Sequence, residues 1–120
     1  MNLAAAPLIL VSLITAPLPP PVPMSGFMNA ERLIAHCRPA ADAEVGMAEV
    51  CLGYIAGSVD QVLHRQAQLP ANKRTICLAP DATIGEVQDA VVANLEMFAD
   101  EPNAAAAAIV ERSLSAAFPC

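Results

Sequence analysis

Val45-Gly46-Met47-Ala48-Glu49-Val50-Cys51-Leu52-Gly53-Tyr54-Ile55-Ala56-Gly57-Ser58-Val59-Asp60-Gln61-Val62 decides the fold. Its apolar positions Val45, Ala48, Leu52, Ile55, Val59 and Val62 recur alternately three and four apart, the spacing of one helical face. The stripe predicts an amphipathic helix over residues 43–68 that buries this face. Working outward, an upstream helix is expected behind Ser25 as N-cap, running to about Arg38 with Phe27, Ala30, Ile34 and Cys37 on one face. Pro39 ends it.

Downstream, Pro70, Asn72 and the basic pair Lys73-Arg74 mark a loop, and Cys77-Leu78-Ala79-Pro80 leads into the next element. Thr83-Ile84-Gly85-Glu86 has capping-box spacing, in which hydroxyl and carboxylate satisfy backbone donors at the start of a helix. Ile84, Val87, Val91, Leu95 and Phe98 form its expected buried face. Asp100-Glu101-Pro102-Asn103 reads as a turn, with Pro102 suited to the first position of a fourth helix. That helix runs to about Phe118 and buries Ile109, Val110 and Leu114. The Ala104–Ala108 run is a strong helix former that permits close packing. The expectation is an all-α, small four-helix bundle-like domain.

The domain occupies residues 26–120, behind a segment (1–25) of different character. Leu3–Ala16 is apolar apart from Ser12 and Thr15, and Pro17-Leu18-Pro19-Pro20-Pro21-Val22-Pro23 follows. Fourteen residues are too few to span a bilayer as a helix but suit the h-region of a secretory signal. No Lys or Arg precedes Arg32, and a proline follows Ala16, so an uncleaved hydrophobic arm is the other reading.

Four cysteines, Cys37, Cys51, Cys77 and Cys120, form an even set behind that segment and read as two disulfides of an exported protein. A short turn between the third and fourth helices makes them antiparallel. This sets Cys77, just before one, beside Cys120, just after the other. The remaining pair is Cys37–Cys51, across the connection between the first two helices. Zinc sites favour close cysteine pairs, and these spacings contain none.

Nothing in the chain assembles a catalytic constellation, so no catalytic, metal or cofactor site is expected. A Cys–His nucleophile would need an orienting group and an oxyanion hole; His36 and His64 read instead as surface histidines. The net charge of −6 is unevenly placed. Residues 27–80 carry five acids and five bases, whereas from Asp81 onward seven acids face Arg112 alone. Such a half disfavours nucleic acid and anionic lipid and favours a basic protein, although a solvated face kept soluble by charge accounts for it equally.

Cys51-Leu52-Gly53-Tyr54-Ile55-Ala56-Gly57-Ser58-Val59-Asp60 has the form C-x-G-Y-I-x-G-x-x-D. Gly53 and Gly57 lie about one helical turn apart, and each costs about 1 kcal/mol against Ala. A packing seam, where another backbone approaches closely, is the expected reason for that cost. Asp60 could partner the Tyr54 hydroxyl if the fold brings them together.

This motif, with the Cys77 loop, the Thr-capped helix and the terminal Phe118-Pro119-Cys120, resembles the Rap/Tai-type immunity proteins of the bacterial type VI secretion system. The resemblance covers residues 27–120. It implies a small, exported, all-helical protein of the periplasm, in some members a homodimer, that binds a toxic effector such as a peptidoglycan amidase. Inhibition would then be by occlusion, with no chemistry from this chain. A basic effector would be steered toward Glu86, Asp89, Glu96, Asp100 and Glu101, which places binding on the surface of the third and fourth helices. A periplasmic acid-stress chaperone, also helical and disulfide-bonded, is the alternative. A hydrolase or lipid carrier is a third class, for which the sequence holds no marker.

Overall fold

A computed structural model describes residues 15–20 and 26–120. The secretory-signal reading and the Ser25 cap lie outside the described residues or rest largely on residues outside them. Four α-helices follow in order: α1 (Ala30–Cys37), α2 (Met47–Ala67), α3 (Ile84–Asn94) and α4 (Ala106–Ala117). Short 3-10 turns at Ala71–Lys73 and Leu95–Phe98 complete the regular structure. Among the described residues there is no strand, only two isolated bridges, Asn29 to Ala105 and Ile76 to Pro119. The all-α reading holds, and so do both disulfides: Cys37–Cys51 and Cys77–Cys120 each have Cα atoms 4.9 Å apart.

Helices α1 and α4 start later than the sequence suggests, because backbone pairing claims the residues before them. The amides of Ala30 and Glu31, at the start of α1, donate to the carbonyls of Ala104 and Pro102. In return the Ala106 amide, first in α4, donates to Met28. Each helix start thus satisfies its orphan donors with the approach segment of the other. Residues 102–105 serve that exchange, so Pro102 is not the first residue of helix four. Helix one begins at Ala30, where the Asn29 side chain accepts from the Arg32 amide at 2.9 Å. Phe27 is left 94% exposed, and Leu33 takes the buried place beside Ala30.

A similar correction applies to α2, which is shorter than the expected 43–68. Residues 38–46 form the connection spanned by the Cys37–Cys51 bridge, and Gly46, at φ +96°, makes the left-handed entry into the helix. Cys51 must face inward to reach Cys37, and this sets the rotation of the helix. Cys51, Ile55, Val59 and Val62 are buried, while Val45, Ala48 and Leu52 turn to solvent. The second half of the expected stripe is correct and the first half is out of phase.

The core gathers Leu33, Ile55, Val91, Leu95, Ile109, Val110 and Leu114, all fully buried. Here α1 packs on α2, α4 on α2 and α3, and the 3-10 turn carries Leu95 and Phe98 inward. Ile84, expected in the core, stays exposed at the first turn of α3. In α4 the Ser113 hydroxyl is buried with no hydrogen-bond partner among the described residues, a cost inside an otherwise apolar face. The C-terminal end of α2 is closed by Arg74, whose guanidinium donates to the carbonyls of Gln66, Ala67 and Leu69. Gln66 Oε1 accepts from the amides of Thr75 and Ile76, which fixes the strand-like entry to Cys77.

Candidate functional site

The C-x-G-Y-I-x-G segment lies on α2 and faces an open groove between α2 and α4, of about 620 Å³. Gly53, Gly57 and Ser58 form the α2 wall, and Ala105, Ala107 and Ala108 form the α4 wall. Tyr54 is half-buried at the edge, and the Arg65–Glu111 ion pair, at 2.8 Å, closes one end. A Cβ at Gly53 or Gly57 would meet nothing within 4 Å. Among the described residues no other backbone therefore approaches these glycines, and the packing-seam expectation fails there. Nor does Asp60 partner Tyr54: six residues apart on one helix, they look out from different faces.

Because space exists at both positions, Gly53→Ala with Gly57→Ala is expected to stabilise the chain by about 1–2 kcal/mol through helix propensity alone. A urea midpoint raised for the double variant is the result to look for. A lowered midpoint would mean that these glycines are held to their size by packing within the chain.

The five acidic residues have different local surroundings. Glu86 belongs to the capping box: the Thr83 amide donates to its carboxylate at 2.8 Å, and Thr83 Oγ1 accepts from the Glu86 amide at 3.3 Å. The backbone hydrogen bond from Thr83, and then that from its hydroxyl, hold the Glu86 carboxyl below its ordinary value of 4.5. A depressed folded-state pKa means the box contributes fully above the ordinary value and loosens as pH falls through the folded one.

Asp89 and Glu96 both lie by Arg38. Glu96 pairs with the Arg38 guanidinium, which also donates to the Val92 carbonyl at 3.0 Å, and Asp89 lines the same recess. Glu101 pairs with Arg112 at 3.1 Å, and Arg112 stacks over the Phe98 ring, 4.4 Å from its centroid. Asp100 is exposed in the turn between the 3-10 segment and α4. Three of the five carboxylates thus have partners within the chain, and Asp89 and Asp100 have no hydrogen bond or ion pair among the described residues.

His64, exposed, lies 3.0 Å from Gln68, as expected of a surface histidine. His36 departs from that expectation, since it is half-buried and its Nδ1 is enclosed without a partner among the described residues. Neither stands beside a free thiol, because all four cysteines are bridged. Among the described residues no cluster of three or more His, Cys, Asp or Glu could hold a metal ion, and no helix is long and apolar enough to cross a membrane.

Four helices and two disulfides define a small, stapled all-α scaffold. The model of the Rap1a immunity proteins matches residues 29–120, the whole of the four-helix domain, and the chain belongs to that family. No curated protein and no solved structure matches the chain.

Proposed function

We propose that this chain is a periplasmic immunity protein that binds a cognate type VI secretion effector, a cell-wall toxin such as a peptidoglycan amidase, and blocks it by occlusion. One observation carries the reading: the family match extends from Asn29 to Cys120 and so includes all four helices and both disulfides. An inhibitor of this kind works by presenting a preorganised surface, and two covalent bridges reduce the ordering cost of binding. The scaffold performs no chemistry. The disulfides fit an exported protein, and the net charge of −6 fits a basic partner.

Glu86, Asp89, Glu96, Asp100 and Glu101 are the carboxylates toward which such a partner is steered. Asp89 and Asp100, free of partners among the described residues, test this without disturbing the fold. Asp89→Lys with Asp100→Lys is expected to slow association with a basic effector by about tenfold at low salt, and by much less at high salt. Stopped-flow association rates would show it. An unchanged rate at low salt would remove these residues from the encounter surface.

A further inference from the structure

The two disulfides sit in opposite surroundings. Cys51 is 1% exposed and receives the Gln88 side-chain amide on its sulfur at 3.6 Å, and Cys37 is half-buried against the same core. Cys77 and Cys120 are both exposed. Around this second bridge the chain ends are tied only lightly. The Cys77 amide donates to Phe118 at 2.9 Å and the Cys120 amide to Thr75 at 3.4 Å, on either side of the isolated Ile76–Pro119 bridge. A recess of about 400 Å³, lined in part by Ala82, Glu86, Ala90 and Phe118, lies beside it.

The geometry points to Cys77–Cys120 as a reducible clasp, opened by a dithiol reductant while Cys37–Cys51 stays closed. In the step itself a reductant thiolate attacks one clasp sulfur and expels the other cysteine as a thiolate. The second reductant thiol then displaces the first cysteine from the mixed disulfide. Two electrons and two protons pass to Cys77 and Cys120, and the reductant leaves as its own disulfide.

Two physical factors separate the bridges. Attack needs access to a sulfur, and both residues of the Cys77–Cys120 bridge are exposed, whereas Cys51 is buried. Attack at the half-buried Cys37 is disfavoured for another reason, since it must expel Cys51 as a thiolate inside the apolar core. There, burial disfavours the charged form and makes it a poor leaving group. Opening the clasp frees residues 118–120 from Ile76 and lifts Phe118 from the recess, while α1 and α2 remain joined. This device stands independently of the partner the domain binds.

Graded reduction of the folded full chain with dithiothreitol, followed by alkylation and peptide mapping, tests the clasp. Trypsin places Cys77 in residues 75–112, Cys120 in 113–120, and Cys37 with Cys51 in 33–65. Alkylation of the first two peptides is expected at least about tenfold faster than that of the third, with helical circular dichroism retained in the cold. Equal rates, or earlier labelling of 33–65, would overturn the proposal. Labelling of all four cysteines in step with loss of helix would also overturn it, because the bridges would then open only through global unfolding.

Discussion

Cys77→Ser with Cys120→Ser lowers the stability of the chain by about 4 kcal/mol, the largest single effect expected from any change outside the core. The bridge closes a separation of 43 residues, and a loop of that size corresponds to about 4 kcal/mol of unfolded-state entropy at room temperature. Both cysteines are exposed, so serine leaves no buried hydroxyl and the change isolates the cross-link. For a domain of this size such a loss lowers the melting temperature by roughly 15–30 °C. It also consumes much of the 5–15 kcal/mol typical of a small domain, leaving a folded but marginal protein. Thermal melts of the variant and the parent under non-reducing conditions measure it. A shift of only a few degrees would mean that the C-terminal segment holds its place without the bridge.

Leu33→Ala is the second. Leu33 is fully buried in α1, against a core that also holds Ile55, Leu95 and Leu114. Truncating a buried leucine removes transfer energy and leaves a cavity, together about 2–5 kcal/mol. Phe27→Ala is the matched control, since Phe27 is 94% exposed and its backbone carbonyl, not its ring, accepts from Arg32. The control is expected within about 0.5 kcal/mol of the parent. Chemical denaturation of both variants reads the contrast. Comparable losses from the two would restore Phe27 to the core and shift the start of α1 toward the chain terminus.

That pair also shows how far the sequence is legible. Helical period and the Thr83–Glu86 capping box are local signals, and they correctly place α3 and the second half of α2. Cysteine order combined with antiparallel helices correctly gives both bridges. The errors share one cause, which is pairing between segments distant in the chain. The Ala30 and Glu31 amides donate to Ala104 and Pro102 and the Ala106 amide donates to Met28, so α1 and α4 both start late. The need for Cys51 to meet Cys37 rotates α2 and turns Ala48 and Leu52 outward. Neither is visible in any window of a dozen residues.

The candidate surface was legible in its residues but not in its arrangement. Gly53, Tyr54 and Gly57 stand out by spacing, yet spacing alone cannot distinguish a seam from an open wall. The groove appears only once α4 is in place across from α2. The acidic residues likewise stand out by count, while Glu86, Glu96 and Glu101 are committed to Thr83, Arg38 and Arg112. Those partners lie 3, 58 and 11 positions away, and only the first belongs to a recognisable local motif.

The central claim is that the domain blocks an effector by binding it. The most direct measurement titrates the disulfide-bonded chain into its proposed effector, a peptidoglycan amidase, following peptidoglycan cleavage and the size of the complex together. A stoichiometric complex with cleavage abolished at equivalence is the predicted result. No complex and undiminished cleavage, alongside retention of many unrelated unfolded proteins at low pH, would contradict it.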